Sequence, residues 1–116
     1  MRLIWTLECG WPRPLTNVPI FDRRGRHIGT PDLFDPTSGI AGEYDGAVHL
    51  TAERRRRDLG RIADFRAVGI DVVTAVAGGW DEFRQHLGAA YNRTRERGDW
   101  TLEQPDWWRR THRPAA

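Results

Sequence analysis

Lysine is absent from this chain of 116 residues, and all eighteen basic residues are arginine. No mechanism here can therefore use a catalytic lysine. Cysteine is nearly absent too. The single Cys9 cannot form an internal disulfide, and one Cys with four scattered His gives no zinc-type spacing. Long apolar runs are missing; none approaches the roughly 20 residues that span a bilayer. No basic segment with an apolar stretch and a small-residue cleavage site opens the chain. These absences set the expectation of a reduced, cytoplasmic protein with no membrane partner.

The remaining composition is ordinary for one compact globular domain, with 39% hydrophobic and 29% charged residues. The net charge is only +2, yet the pI is about 9.3 because arginine stays protonated. Arginine forks suit phosphate bidentately. An all-arginine basic set is compatible with nucleic acid, but the codon usage of a GC-rich genome is the plainer account of it.

Periodicity predicts the elements. Leu3, Ile4 and Leu7 fall at helical spacing, with Gly10 as a cap. Residues 11–14 form a proline-bearing connector. Residues 17–22 read as a strand, Asp22-Arg23-Arg24-Gly25 as a type I turn, and residues 27–34 as the returning strand of a hairpin. Asp35-Pro36-Thr37-Ser38-Gly39 is a turn cluster, and residues 40–45 are a third strand. Thr51 is a candidate N-cap for a helix to about Val68, with Leu59, Ile62, Ala63 and Phe65 on its apolar face and Gly69 ending it. The β-branched run 70–76 predicts a buried strand. Gly78-Gly79 introduces a last helix with Trp80, Phe83, Leu87 and Tyr91 on one face. Asp81 and Glu82 in its first turn and Arg93, Arg95 and Arg97 near its end suit the helix dipole. Gly98 closes it.

The resulting order is α-β-β-β-α-β-α, an α/β fold with a mixed sheet of about four strands flanked by helices. A domain over residues 1–98 and a Trp/Arg-rich C-terminal tail over 99–116 are expected.

Chemistry concentrates in three acids. Alternate strand residues share a face, so Glu43 and Asp45 point one way and Tyr44 the other. Asp32 on the preceding strand lies close enough to join them. Such a cluster is costly without a counter-ion, and a hard divalent cation, Mg²⁺ or Mn²⁺, removes that cost. Turn chemistry accounts for Asp35 before Pro36 and competes for Asp45 before Gly46. It does not account for Asp32 or Glu43.

Pro31-Asp32, ten intervening residues, then Glu43-Tyr44-Asp45 resembles the PD-(D/E)xK signature of the restriction-endonuclease-like superfamily. The wider set comprises Gly42 to Gly46, His49, Arg57-Asp58 and Gly69-Ile70-Asp71-Val72-Val73. It resembles the small bacterial branch related to very short patch repair endonucleases. Residues 7–14 resemble the opening of that branch, and the likeness spans roughly residues 1–95.

The resemblance implies a restriction-endonuclease-like core and a metal-dependent nuclease of defence or repair, with DNA placed ahead of RNA as partner. It implies that Asp32 and Glu43 bind Mg²⁺ or Mn²⁺ and that the main-chain carbonyl of Tyr44 is a further ligand. Asp45 stands where the superfamily usually has lysine, so it would bind metal or orient water instead of stabilising negative charge. His49 would serve as general base or proton shuttle, since its unperturbed pKa lies near neutrality; a hydrogen-bonded helix-start residue is the alternative. Related chains carry a Glu on the first helix; Glu8 would substitute for it, or is a surface residue. Related chains often have a winged-helix domain of the kind found in abortive-infection antitoxins, so a separate recognition domain or a homodimer would complete recognition. The alternative is an inactive nucleic-acid-binding or toxin–antitoxin-associated interaction module of the same fold.

Arg54, Arg57 and Arg61 share a helix face and are candidate phosphate contacts beside the acids. A solvated face balanced by Glu53, Asp58 and Asp64 is the plain alternative. Trp107-Trp108-Arg109-Arg110 mixes stacking and charge in the manner of single-strand binders, or it packs tryptophan onto the domain. Trp5, Trp11 and Trp80 read as core or interface residues.

Overall fold

The computed structural model describes residue 5, residues 13–45, 52–76 and 78–97, and residues 104, 105, 108 and 111; positions 45 and 97 are described by backbone alone. The expected first helix, the connector at 11 and 12, Thr51, His49 and Gly98 lie outside these residues.

The strands are β1 (Leu15–Thr16), β2 (Ile20–Phe21), β3 (His27–Gly29), β4 (Leu33–Asp35), β5 (Ile40–Asp45) and β6 (Asp71–Val76). The helices are α1 (Ala52–Ala67), between β5 and β6, and α2 (Trp80–Arg97). The main sheet runs β1-β4-β5-β6, and β2 with β3 forms a separate hairpin. β4 pairs antiparallel with β1 and β5, whereas β5 and β6 are parallel across the α1 crossover. This is the expected mixed α/β sheet of four strands.

Side-chain alternation sorts the core into two clusters, one on each sheet face. Leu33, Ile40, Val73 and Ala75 join Phe83, Leu87, Ala90 and Tyr91 of α2, together with Trp5. Phe34 and Ala41 join Phe65, Val68, Ile70, the hairpin residue Ile20 and Trp108. The predicted face of α2 thus packs as read. Trp108, from the expected tail, is buried edge-on to Phe34 with centroids 6.0 Å apart, and its Nε1 donates to the Pro19 carbonyl at 2.5 Å. Gln104 acts like a strand partner for β2. Its Oε1 accepts from Phe21 N at 2.9 Å and its Nε2 donates to Phe21 O at 2.6 Å.

Helix α1 ends as its glycine predicts. Gly69 has φ 86°, Gly69 N donates to Arg66 O at 3.0 Å and Ile70 N to Phe65 O at 2.9 Å. This is the Schellman pair of bonds, and Phe65 and Ile70 share the core cluster that accompanies it. The turn before β3 also forms as read: Gly25 N donates to Asp22 O at 3.0 Å, and Asp22 Oδ1 accepts from Arg24 N and Arg26 N at 2.9 and 2.8 Å. These bonds, the one from Arg26 N foremost, hold the Asp22 carboxyl below its ordinary range.

Four expectations are corrected. The strand over 17–22 shrinks to β2 (Ile20–Phe21), with β1 (Leu15–Thr16) ahead of the expected start, because Asn17 takes a left-handed φ of 51° and Pro19 has no N–H to give a ladder. The strand over 27–34 breaks at Thr30-Pro31-Asp32, so β3 and β4 belong to different sheets. On α1, Leu59 is 62% exposed and Ala63 is exposed, while Phe65, and Val68 just past the helix end, are buried. The helix meets the core through its C-terminal half, whose direction hydrophobicity alone does not give. Finally, β6 is an edge strand of the four-stranded sheet with Thr74 and Val76 exposed, so only alternate residues are buried. Among the described residues no helix is long and apolar enough to cross a membrane.

Candidate functional site

The proline that breaks the long strand also places Asp32. Leu33 faces Gly42 and Phe34 faces Ala41; one step further along this register, Asp32 stands against Glu43. Regular pairing stops here, and the Asp32 side chain takes over part of it. Its Oδ2 accepts from Tyr44 N at 2.8 Å, while its main-chain carbonyl accepts from Asn17 N at 3.1 Å. Asp32 thus ties the ends of β4 and β5 together as a carboxylate cap.

Glu43 projects from β5 on the α1 side. Both its oxygens accept from Arg61, Nη1 to Oε1 at 2.6 Å and Nη2 to Oε2 at 2.5 Å. This is a fork-to-fork ion pair, the most directional that a carboxylate makes. The Glu43 side chain is 16% exposed and that of Arg61 31%. Arg61 reaches the strand because it lies one helical turn before buried Phe65; its Cζ sits 5.5 Å from the Phe65 ring centroid. Gly29 makes room for it. A Cβ there would meet Arg61 Nη1 at 2.9 Å. The hydrogen bonds from Glu43 raise the Arg61 pKa further above its ordinary value, against the opposing effect of burial; Glu43, Asp58 and Asp32 add attraction through space. The guanidinium of Arg61 is thus the counter-ion of Glu43.

Tyr44 turns to the opposite face, as alternation requires, and stacks on Trp80 with centroids 5.9 Å apart and planes 14° from parallel. Asp45 is the last residue of β5, in register with Val76; its side chain and His49 lie outside the described residues. Arg54 and Arg57 are exposed on α1. Arg61, grouped with them by helical spacing, instead faces inward to Glu43. That engagement was legible in part, since Arg61 and Phe65 are i and i+4 and an acid within an apolar strand needs a partner. The service of Gly29 had no sequence signal.

Asp35 sits elsewhere, 2% exposed. It accepts from Thr37 N (2.9 Å), Thr37 Oγ1 (2.6 Å), Ser38 Oγ (2.7 Å) and Tyr91 Oη (2.7 Å), and so serves as the turn residue its sequence context indicates.

A hard divalent ion suits the donor chemistry of Asp32 and Glu43, and this position already draws a cation in the form of Arg61. Among the described residues, however, no group of three or more His, Cys, Asp or Glu is placed to hold a metal. Two surface hollows, of about 240 Å³ beside Asp22, Arg24 and Asp64 and about 370 Å³ beside Arg66, Asp71 and Arg93, include neither acid. No protein-family model, curated protein or solved structure matches the chain.

Proposed function

We propose that this chain is a divalent-metal-dependent nuclease of restriction-endonuclease-like type, hydrolysing phosphodiester bonds of DNA ahead of RNA. The observation that carries the reading is that Asp32 and Glu43, with ten residues between them in sequence, come together at the ends of β4 and β5, where Asp32 accepts from Tyr44 N and Arg61 forks Glu43. The antiparallel β4–β5 pair followed by the α1 crossover to parallel β6 supports it as the scaffold such a site requires.

Asp32 and Glu43 would hold Mg²⁺ or Mn²⁺, with the Tyr44 carbonyl and Asp45 completing the protein ligands. When bound, the ion supplies an activated water and stabilisation of charge building on the phosphate. The protein's own groups do the rest. Asp32 keeps the ends of β4 and β5 in register through Tyr44 N. His49 takes the proton of the attacking water. Arg54 and Arg57 hold flanking phosphates without reading bases.

Plasmid, single-stranded DNA and RNA incubated with Mg²⁺ or Mn²⁺ provide the assay. Cleavage is expected, and Asp32→Ala and Glu43→Gln are expected to abolish it. No cleavage of any substrate, or cleavage indifferent to both substitutions in folded protein, refutes the reading.

A second reading has its own support. Arg61 occupies both oxygens of Glu43, an arrangement suited to a binding module that keeps the fold without turnover. It predicts DNA binding that weakens steeply with salt and no metal-dependent product. A separate recognition domain or a second copy of the chain is the partner either reading leaves room for.

A further inference from the structure

A chain whose basic residues are all arginine must use arginine to face a phosphate. Resting on the phosphodiester reading above for the identity of the substrate, we infer that Arg61 is an exchangeable cation. It clamps Glu43 at rest and, once a divalent ion takes over that carboxylate, it turns its fork to a phosphate oxygen of the substrate.

Four observations carry this. The guanidinium forks Glu43 through Nη1 and Nη2, and the same planar donor pair fits two phosphate oxygens equally well. The side chain is not sealed in: it keeps 31% of its surface exposed, twice the fraction of the Glu43 it covers. Its path is built for a long cation, between the missing Cβ of Gly29 and the face of Phe65. Three carboxylates, Glu43, Asp58 and Asp32, act on this one positive charge. A divalent ion at Glu43 would compete with Arg61 for the same two oxygens.

The exchange is tested by titrating the full chain with Mn²⁺ alone in a calorimeter. Arg61→Gln is expected to bind Mn²⁺ about tenfold more tightly than the wild type, because one competing unit charge is gone from the site. Unchanged or weaker binding overturns the inference, as does the absence of Mn²⁺ binding in both proteins. The second arm follows the anisotropy of a fluorescein-labelled DNA duplex with and without Ca²⁺. Ca²⁺ is expected to tighten binding by the wild type and to lose most of that gain in Arg61→Gln; an equal gain in both overturns the phosphate contact.

Should Arg61→Gln fail to fold, Gly29→Ala gives the same information. Its methyl would come within 2.9 Å of Nη1 and 3.1 Å of Phe65 Cζ, moving the guanidinium off Glu43 while keeping its charge. Tighter Mn²⁺ binding then supports exchange, and unchanged affinity overturns it. Absence of cleavage by the wild type would refute the hydrolase reading, while the exchange stays measurable in the Mn²⁺ and Ca²⁺ titrations.

Discussion

Removing one oxygen atom, in Tyr91→Phe, tests the buried network that fastens α2 to the sheet. Tyr91 Oη donates to Asp35 Oδ2 at 2.7 Å and accepts from Trp5 Nε1 at 3.1 Å. Asp35 and Trp5 are almost wholly buried. The ring stays, so no large cavity opens and the edge-on contact with Trp5 at 6.1 Å persists. The loss is therefore in hydrogen bonding. A bond to a charged acceptor is worth about 1.5–3 kcal/mol, and a buried indole N–H left unpaired costs about 1–3 kcal/mol. Asp35 keeps its bonds from Thr37 N, Thr37 Oγ1 and Ser38 Oγ, which places the sum toward the lower end, at about 3 kcal/mol. For a domain of this size that corresponds to roughly 10 °C in Tm. Urea unfolding followed by circular dichroism measures it, with m expected to stay constant. Tyr44→Phe, on a side chain 46% exposed, is the control and is expected to move stability by less than about 0.5 kcal/mol. A loss below about 0.5 kcal/mol for Tyr91→Phe itself, the scale of a surface change, would refute the network as a source of stability.

Two glycines give unequal outcomes under the same substitution. Gly42→Ala sets a methyl 2.9 Å from Cζ3 of fully buried Trp5 and is expected to cost about 1–3 kcal/mol by overpacking; Gly29→Ala meets the movable end of Arg61 and is expected to cost less, and equal melting temperatures would contradict this contrast. Trp108→Ala removes a ring buried against Phe34 and is expected to cost about 3–5 kcal/mol, read by thermal melts; a neutral result would mean the C-terminal segment does not hold the hairpin. Stability should also respond to pH at both extremes. The carboxyl of Asp22 is lowered in the fold by backbone hydrogen bonds, so its contribution is present above the unfolded value near about 3.9 and is lost as pH falls through the folded value; Asp22→Asn should flatten that acid limb in urea midpoints. Burial first, then Asp35, raises the Tyr91 hydroxyl far above its ordinary value. Stability should therefore decline once pH exceeds about 10, where unfolded tyrosine ionises, and Tyr91→Phe should remove that decline.

Much of this protein can be read from local sequence, because local rules govern it. Gly69 ends α1 since the left-handed position after a helix favours glycine. Trp80, Phe83, Leu87 and Tyr91 mark the buried side of α2 through the 3.6-residue period. Alternation in residues 40–45 separates Glu43 from Tyr44 across the sheet. Asp32 was expected on a strand over 27–34 beside Glu43; the break at Pro31 that leaves it just ahead of β4 was not read from the sequence.

Tertiary structure decided what those residues meet. Helical spacing grouped Arg61 with Arg54 and Arg57, but only the packing of Phe65 turns it toward Glu43, through the gap left at Gly29. Hydrophobicity nominated Leu59 for the core, yet the sheet covers the other end of its helix. Trp108 and Gln104 carried no periodic signal, and long-range contacts with Pro19, Phe21 and Phe34 give them their roles. The physical reason is one of range. Caps, turns and periodicity depend on neighbours within a few residues, whereas a counter-ion is chosen among side chains that meet only after the chain has folded. The sequence alone therefore determined that Glu43, an acid within an apolar strand, would need a positive charge; the fold determined that Arg61 supplies it.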